Sequence, residues 1–198
     1  MGGQGSSLLH RIPGFKPLHI VMLGLDSAGK TTVLYRLKLG EFVNALPTVS
    51  FNTEHIQFKG EVGNNMVFKV WDVGGQEKLR PLWRPYTRGT DGIVFVVDSV
   101  DKERLDEART EILRVARYTE HQGVPILIYA NKQDLPGALS VQEVEETLSV
   151  SDIRTTNLCH VQPTCAIIGE GLTEGLEALY RMIKKRRKML KQQKKRGR

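Results

Sequence analysis

One octapeptide limits the folds open to this chain more than any other feature: Gly24-Leu25-Asp26-Ser27-Ala28-Gly29-Lys30-Thr31. It has the spacing G-x-x-x-x-G-K-[ST] and sits between two different periodicities. Residues 18–24 are a short apolar run that suits a buried strand, and residues 30–39 carry Val33, Leu34 and Leu37 at helical spacing. A strand, a glycine turn and a helix in that order begin an alternating α/β sheet. Glycine lets the turn curl until successive N–H groups point at phosphate oxygens, and the helix presents its positive end to the same place. Lys30 is then placed to neutralise terminal phosphates, and the Thr31 hydroxyl to bind Mg²⁺.

The rest of the chain continues the alternation. Residues 53–58 and 66–71 read as strands joined by a turn at 60–65. Residues 92–98 and 125–131 are nearly continuous β-rich runs, as strands buried on both faces require. Between them, residues 102–121 read as one long charged helix with Leu105, Ile112, Leu113 and Val115 inward. A shorter helix is expected at 141–148 and a last strand at 160–166. Leu172, Leu176, Leu179 and Ile183 then mark a final amphipathic helix that runs into the tail. The expected fold is a three-layer α/β domain over residues 18–183, with a mostly parallel six-stranded sheet flanked by helices. An arm at 1–17 precedes it and a basic tail at 184–198 follows it.

Composition narrows the classes further. No apolar stretch approaches the roughly 18 residues of a membrane span. Two cysteines, Cys159 and Cys165, make no disulfide framework and suit a reduced, cytoplasmic setting. The net charge of +7 is localised: residues 184–198 hold ten Lys and Arg and no acid, which leaves 19 basic and 22 acidic residues elsewhere. An acidic body with a basic tail argues for an electrostatic anchor or address, and no direct nucleic-acid partner is expected.

Three further motifs choose the ligand. Asn131-Lys132-Gln133-Asp134 ends a predicted strand. The Asp134 carboxylate can accept from both N1–H and the exocyclic amine of guanine, a donor pair that adenine lacks. The Lys132 stem can cover the base, and Asn131 can tie this loop to the phosphate loop. Asp72-Val73-Gly74-Gly75-Gln76 follows another strand. There Asp72 can reach Mg²⁺ through water, a backbone N–H of the glycine pair can meet the γ-phosphate, and Gln76 can orient an attacking water. Pro47-Thr48 offers a second hydroxyl for the metal.

These elements, in this order, resemble the Ras-like small GTPases. WDVGGQ at 71–76, GLDSAGKTT at 24–32 and LRPLW at 79–83 resemble the ADP-ribosylation factor family more narrowly. The basic tail, the HVQPTCAIIGEGLTEGL stretch and the long 51–71 segment resemble its factor-like type-4 subgroup. The resemblance implies GTP/GDP and Mg²⁺ as ligands. Asp26, Ser27, Ala28, Gly29, Lys30, Thr31 and Thr32 would wrap the phosphates with Gly75, and Gln76 would be catalytic. Thr31, Thr48 and, through water, Asp72 would hold the metal. Asn131, Lys132 and Asp134 would read guanine with backbone help from Cys165 and Ala166. Phe51, Trp71 and Tyr86 would bind effectors. The family also implies an exchange factor and a GTPase-activating protein as partners, for a monomeric switch.

Two positions depart from the family pattern. Ser50 stands where the family has glycine, and the 51–71 segment is longer than in the founding factors. In those, the hairpin changes register on GTP binding and releases the arm, so weaker coupling is expected here. Asp26 crowds the phosphate loop, where an activator's arginine needs room, and no arginine of this chain is evident for that task; intrinsic hydrolysis should be slow. A scaffold gated by nucleotide with negligible hydrolysis is the alternative. At the ends, Gly2 with Ser6 fits N-myristoylation. One such chain binds membrane marginally and needs the basic tail as a second signal. The basic run also resembles a nuclear address, read by an import receptor and second to the anchor reading, so the cytoplasmic face of the plasma membrane comes first as a location, with the cytoplasm and then the nucleus beside it.

Overall fold

The computed structural model describes residues 17–44, 48, 50–59 and 65–196. The arm with Gly2, the hairpin tip at 60–64 and the last two residues lie outside them. Six strands form one sheet in the order β2-β3-β1-β4-β5-β6. These are β1 (Leu18–Leu23), β2 (Phe51–Lys59), β3 (Asn65–Val73), β4 (Gly92–Asp98), β5 (Ile126–Asn131) and β6 (Cys159–Pro163). All neighbouring pairs are parallel except β2–β3, an antiparallel hairpin.

The continuous apolar runs of β4 and β5 are explained by two cores, one on each face. Along β4, Ile93, Phe95 and Val97 enter one core while Val94 and Val96 enter the other. The first core is closed by α3 (Leu105–Ala116), α4 (Val141–Thr147) and α5 (Val150–Arg154) through Ile112, Val144 and Ile153. The second is closed by α1 (Lys30–Leu39) and α6 (Leu172–Arg196) through Leu34, Leu176 and Leu179. A 3₁₀ turn at Glu77–Leu82 and the short α2 (Trp83–Tyr86) follow β3.

Several boundaries differ from the sequence expectation. The expected helix at 102–121 is three pieces: a 3₁₀ turn at Lys102–Arg104, α3, and a second 3₁₀ turn at Thr119–His121. Buried His121 folds back so that its Nδ1 lies 2.8 Å from the Val115 carbonyl oxygen, which turns the chain off the helix axis. The expected strand at 160–166 stops at Pro163. Thr164 N then donates to Ala130 O and the chain bends into a loop. The hairpin strands are longer than expected, pairing from Phe51↔Val73 to Lys59↔Asn65. Beyond Ile183, the described residues of α6, 184–196, are exposed except half-buried Arg186.

Candidate functional site

Parallel strands end on the same side, and this registers the motifs. Met22 pairs with Asp72, Asp98 with Asn131, and Ala130 with Pro163. The loop after β1, the end of β3, the end of β5 and the loop after β6 therefore share one edge, where open α/β sheets bind ligands. The hairpin brings Phe51 to the same edge.

The phosphate loop is built as its spacing requires. Ser27 and Gly29 both have positive φ, 61° and 98°, which turns the backbone into the first residue of α1. Lys30 is buried, and its Nζ donates to the carbonyls of Gly24 (3.0 Å) and Leu25 (2.8 Å). Burial holds its pKa down to about 8, opposed by the charges of Asp72 and Asp26. A desolvated ammonium of this kind gains from an anion placed beside it. Ala28 is buried, and its carbonyl accepts from Asn131 Nδ2 at 2.9 Å.

Beside the loop, three oxygens converge. Thr31 Oγ1 donates to Asp72 Oδ2 at 2.7 Å, Thr48 Oγ1 donates to the same oxygen at 3.2 Å, and the two hydroxyls are 2.8 Å apart. Asp72 is fully buried, its other oxygen has no hydrogen-bond partner among the described residues, and burial raises its pKa. Hard oxygen donors around a buried carboxylate suit Mg²⁺, with Thr31 and Thr48 as direct ligands and Asp72 behind them. An ion held there would offset the charge of the phosphates.

The Gly74-Gly75 pair is held from both sides. Gly74 N donates to Ser50 O (2.9 Å), Trp83 Nε1 to Gly74 O (3.0 Å), and Arg80 Nε to Gly75 O (2.9 Å). These bonds press Gly75 onto the phosphate loop; a Cβ there would collide with the backbone of Gly24, Leu25 and Asp26. Gln76 is exposed and lines an open groove with Asp26, Arg80 and Arg104. Ser27, Lys132 and Ser149 are non-glycine residues with positive φ.

On the other side of the phosphate loop lies a recess of about 220 Å³, lined by Ser27, Thr32, Phe42, Asn131, Lys132, Asp134 and Ala166 among others. Asn131 Oδ1 accepts from Ala166 N (3.0 Å) and Thr164 Oγ1 (3.3 Å), so one side chain ties three loops together. Lys132 has φ 67° and pairs with Asp98 at 2.5 Å. Asp134 Oδ1 accepts from Cys165 Sγ at 3.1 Å. Cys165 N donates to Glu170 O, so the amides of Cys165 and Ala166 are both engaged within the protein in this conformation. Exposed Phe51, with Trp71 and Tyr86, forms an aromatic cluster with ring centroids 5.2–6.0 Å apart.

Sequence reading missed Arg104. Its Nη2 and Nη1 donate to the two Asp26 oxygens at 2.9 and 3.3 Å. The partners are 78 positions apart, and no motif links them.

A doubly covered sheet that presents a phosphate loop and a base-reading loop on one edge is the G domain of a small GTPase. A profile of the ADP-ribosylation factor family matches residues 6–183, and the chain belongs to that family. GTP binding and hydrolysis to GDP are the chemistry of this class, and the chain is a GTP-binding regulatory switch. It is 60% identical to ADP-ribosylation factor-like protein 4A of Homo sapiens over 190 residues, which are 96% of this chain and 95% of that one. It is equally 60% identical to factor-like protein 4C of Homo sapiens (93% of this chain, 96% of that one), and 57% identical to 4D of Bos taurus (93% and 92%). Among solved structures, the Arl6 BBS3 small GTPase of Trypanosoma brucei with bound GppNp matches with a TM-score of 0.76 and 31% identity, over 86% of this chain and 99% of that one.

Proposed function

We propose that this protein is a membrane-recruited switch that cycles between GDP and GTP, hydrolyses GTP slowly by itself, and recruits effectors in its GTP state. The observation that carries this reading is the meeting of Thr31, Thr48 and Asp72 within 3.2 Å beside buried Lys30. Thr48 comes from the segment before β2 and Asp72 from β3, so a ligand held by both joins the two segments that a terminal phosphate would order.

The geometry supports the following roles in this reading. The backbone from Asp26 to Thr32, with Lys30 and Gly75, binds the phosphates. Asn131, Lys132 and Asp134 select guanine, and Gln76 orients the attacking water. Phe51, Trp71 and Tyr86 form the effector surface. By family likeness, the effectors include exchange factors for other ADP-ribosylation factors, acting in membrane traffic and on actin. A myristoyl group at Gly2 and the basic end of α6 hold the protein on the cytoplasmic face of the plasma membrane. An import receptor that reads the same basic residues would take it to the nucleus. Exchange and activating proteins drive the cycle of a monomer.

Nucleotide analysis of purified protein tests the core of this reading. Wild type should carry guanine nucleotide, Asp134→Asn should lose its preference for guanine, and Gln76→Leu should retain GTP. Folded wild-type protein that ignores micromolar GTP and GDP in magnesium buffer would overturn it. Phosphate release on a seconds scale without a partner would overturn the slow-hydrolysis part alone.

A further inference from the structure

We propose that Arg104 is a positioning residue that clamps Asp26 and thereby sets the preference of the phosphate loop for GTP over GDP. The proposal rests on the nucleotide site described above and adds a residue to it.

Asp26 is an anion inside a loop that serves anions, a conflict that needs a local answer. Arg104, at the end of the Lys102–Arg104 turn, supplies one. Its two terminal nitrogens grip both carboxylate oxygens of Asp26, at 2.9 and 3.3 Å. Its Nε donates to Glu107 Oε2 at 2.8 Å, which fixes the plane of the fork. Glu107 also accepts from Arg80 Nη2 at 2.7 Å, and that nitrogen lies 3.8 Å from Asp26 Oδ1. Arg80 is buried and donates to Gly75 O. A continuous polar chain thus runs from Asp26 through Arg104, Glu107 and Arg80 to Gly75. Asp26 and Gly75 are the two points where a terminal phosphate meets the loop and the segment after β3.

The charge argument gives the clamp a direction. GTP brings one more phosphate than GDP, and brings it to the end of the site where Gln76 and Asp26 line the same groove. An Asp26 carboxylate turned toward α3 and shared with a guanidinium repels that extra charge least. Freed of Arg104, it repels GTP more than GDP. The side chains of Arg104 and Asp26 are 32% and 41% exposed, so water screens part of the effect. The selective loss is therefore on the order of tenfold rather than the larger value of a buried pair.

The test uses the full chain with Mg²⁺ and two probes, fluorescent mant-GDP and mant-GppNHp. Arg104→Ala should weaken mant-GppNHp on the order of tenfold more than mant-GDP. Arg104→Lys keeps the charge without the fork and should show a smaller skew. Asp26→Asn/Arg104→Ala should return the ratio of affinities to that of wild type, since the group in need of a clamp is gone. Equal weakening of both probes, an unchanged ratio in Arg104→Ala, or a skew that persists in the double variant would each overturn the proposal. If Arg104→Ala does not fold, the ratio in Arg104→Lys decides: a skew toward GDP supports the clamp and a wild-type ratio overturns it. Mant-GDP binding by wild type keeps this outcome separate from failure of the nucleotide-site reading.

Discussion

A methyl group at Gly75 has nowhere to go. Its Cβ would meet the backbone of Gly24, Leu25 and Asp26, and backbone yields less readily than the end of a side chain. Gly75→Ala must push the segment after β3 off the phosphate loop, taking Gln76 with it. A displacement of about 1 Å at reacting groups can cost about 100-fold. We therefore expect Gly75→Ala to keep bound nucleotide and to hydrolyse GTP at least about tenfold more slowly in single-turnover phosphate release; a wild-type rate would contradict the packing argument. Much of this scale was legible in the sequence. Lys30, Thr31, Asp72, Asn131 and Asp134 each lie in a short motif whose spacing carries the chemistry. Arg104 was not legible, because its pairing with Asp26 depends on how the segment after β4 returns over the sheet edge, which no local pattern records. Nor did the sequence show that the Ala166 amide, expected to help read the base, is held by Asn131.

At the scale of elements, α6 is fastened to β5 at one close contact. Gly175 lies against the ring of Tyr129, whose Oη donates to Leu172 O at 2.6 Å. Glycine in a helix ordinarily costs about 1 kcal/mol relative to alanine. Here the added Cβ would collide with the fully buried Tyr129 ring, and overpacking of that kind costs about 1–3 kcal/mol. The collision wins, so Gly175→Ala should lower Tm by about 2–8 °C in a thermal melt; a raised Tm would show that the ring moves aside. The continuous apolar strands β4 and β5 agree with sequence expectation within a residue, as does α1 behind its glycine turn. One failure has a side-chain cause: just past the end of α3, His121 reaches back to Val115. Hydrophobic periodicity reports burial and is silent about such terminations.

At the scale of the molecule, the tail and the start of β1 share one neighbourhood. Arg187 Nη2 donates to Asp91 Oδ1 at 2.8 Å, and Asp91 Oδ2 accepts from His19 N at 2.9 Å. An exposed pair of this kind contributes at most about 1 kcal/mol. Deleting the residues after Ile183 should therefore shift Tm by no more than about 4 °C, while flotation on anionic vesicles falls sharply and becomes insensitive to salt. Nine paired positions between β2 and β3 make a register slip costly, so GDP- and GTP-loaded protein should float alike; a large nucleotide difference would count against this. The separation of an acidic body from a basic end was plain in the sequence, as was a helix running into that end, but how far the helix continues was not. The structure shows it as helix to Arg196. Residues 184–196 make a rod roughly 20 Å long at about 1.5 Å per residue. A limp string could lay every lysine on a flat sheet of lipid headgroups, whereas a rod turns part of its circumference away. Its full charge is thus available only to a surface that unwinds it or to a cleft that wraps it.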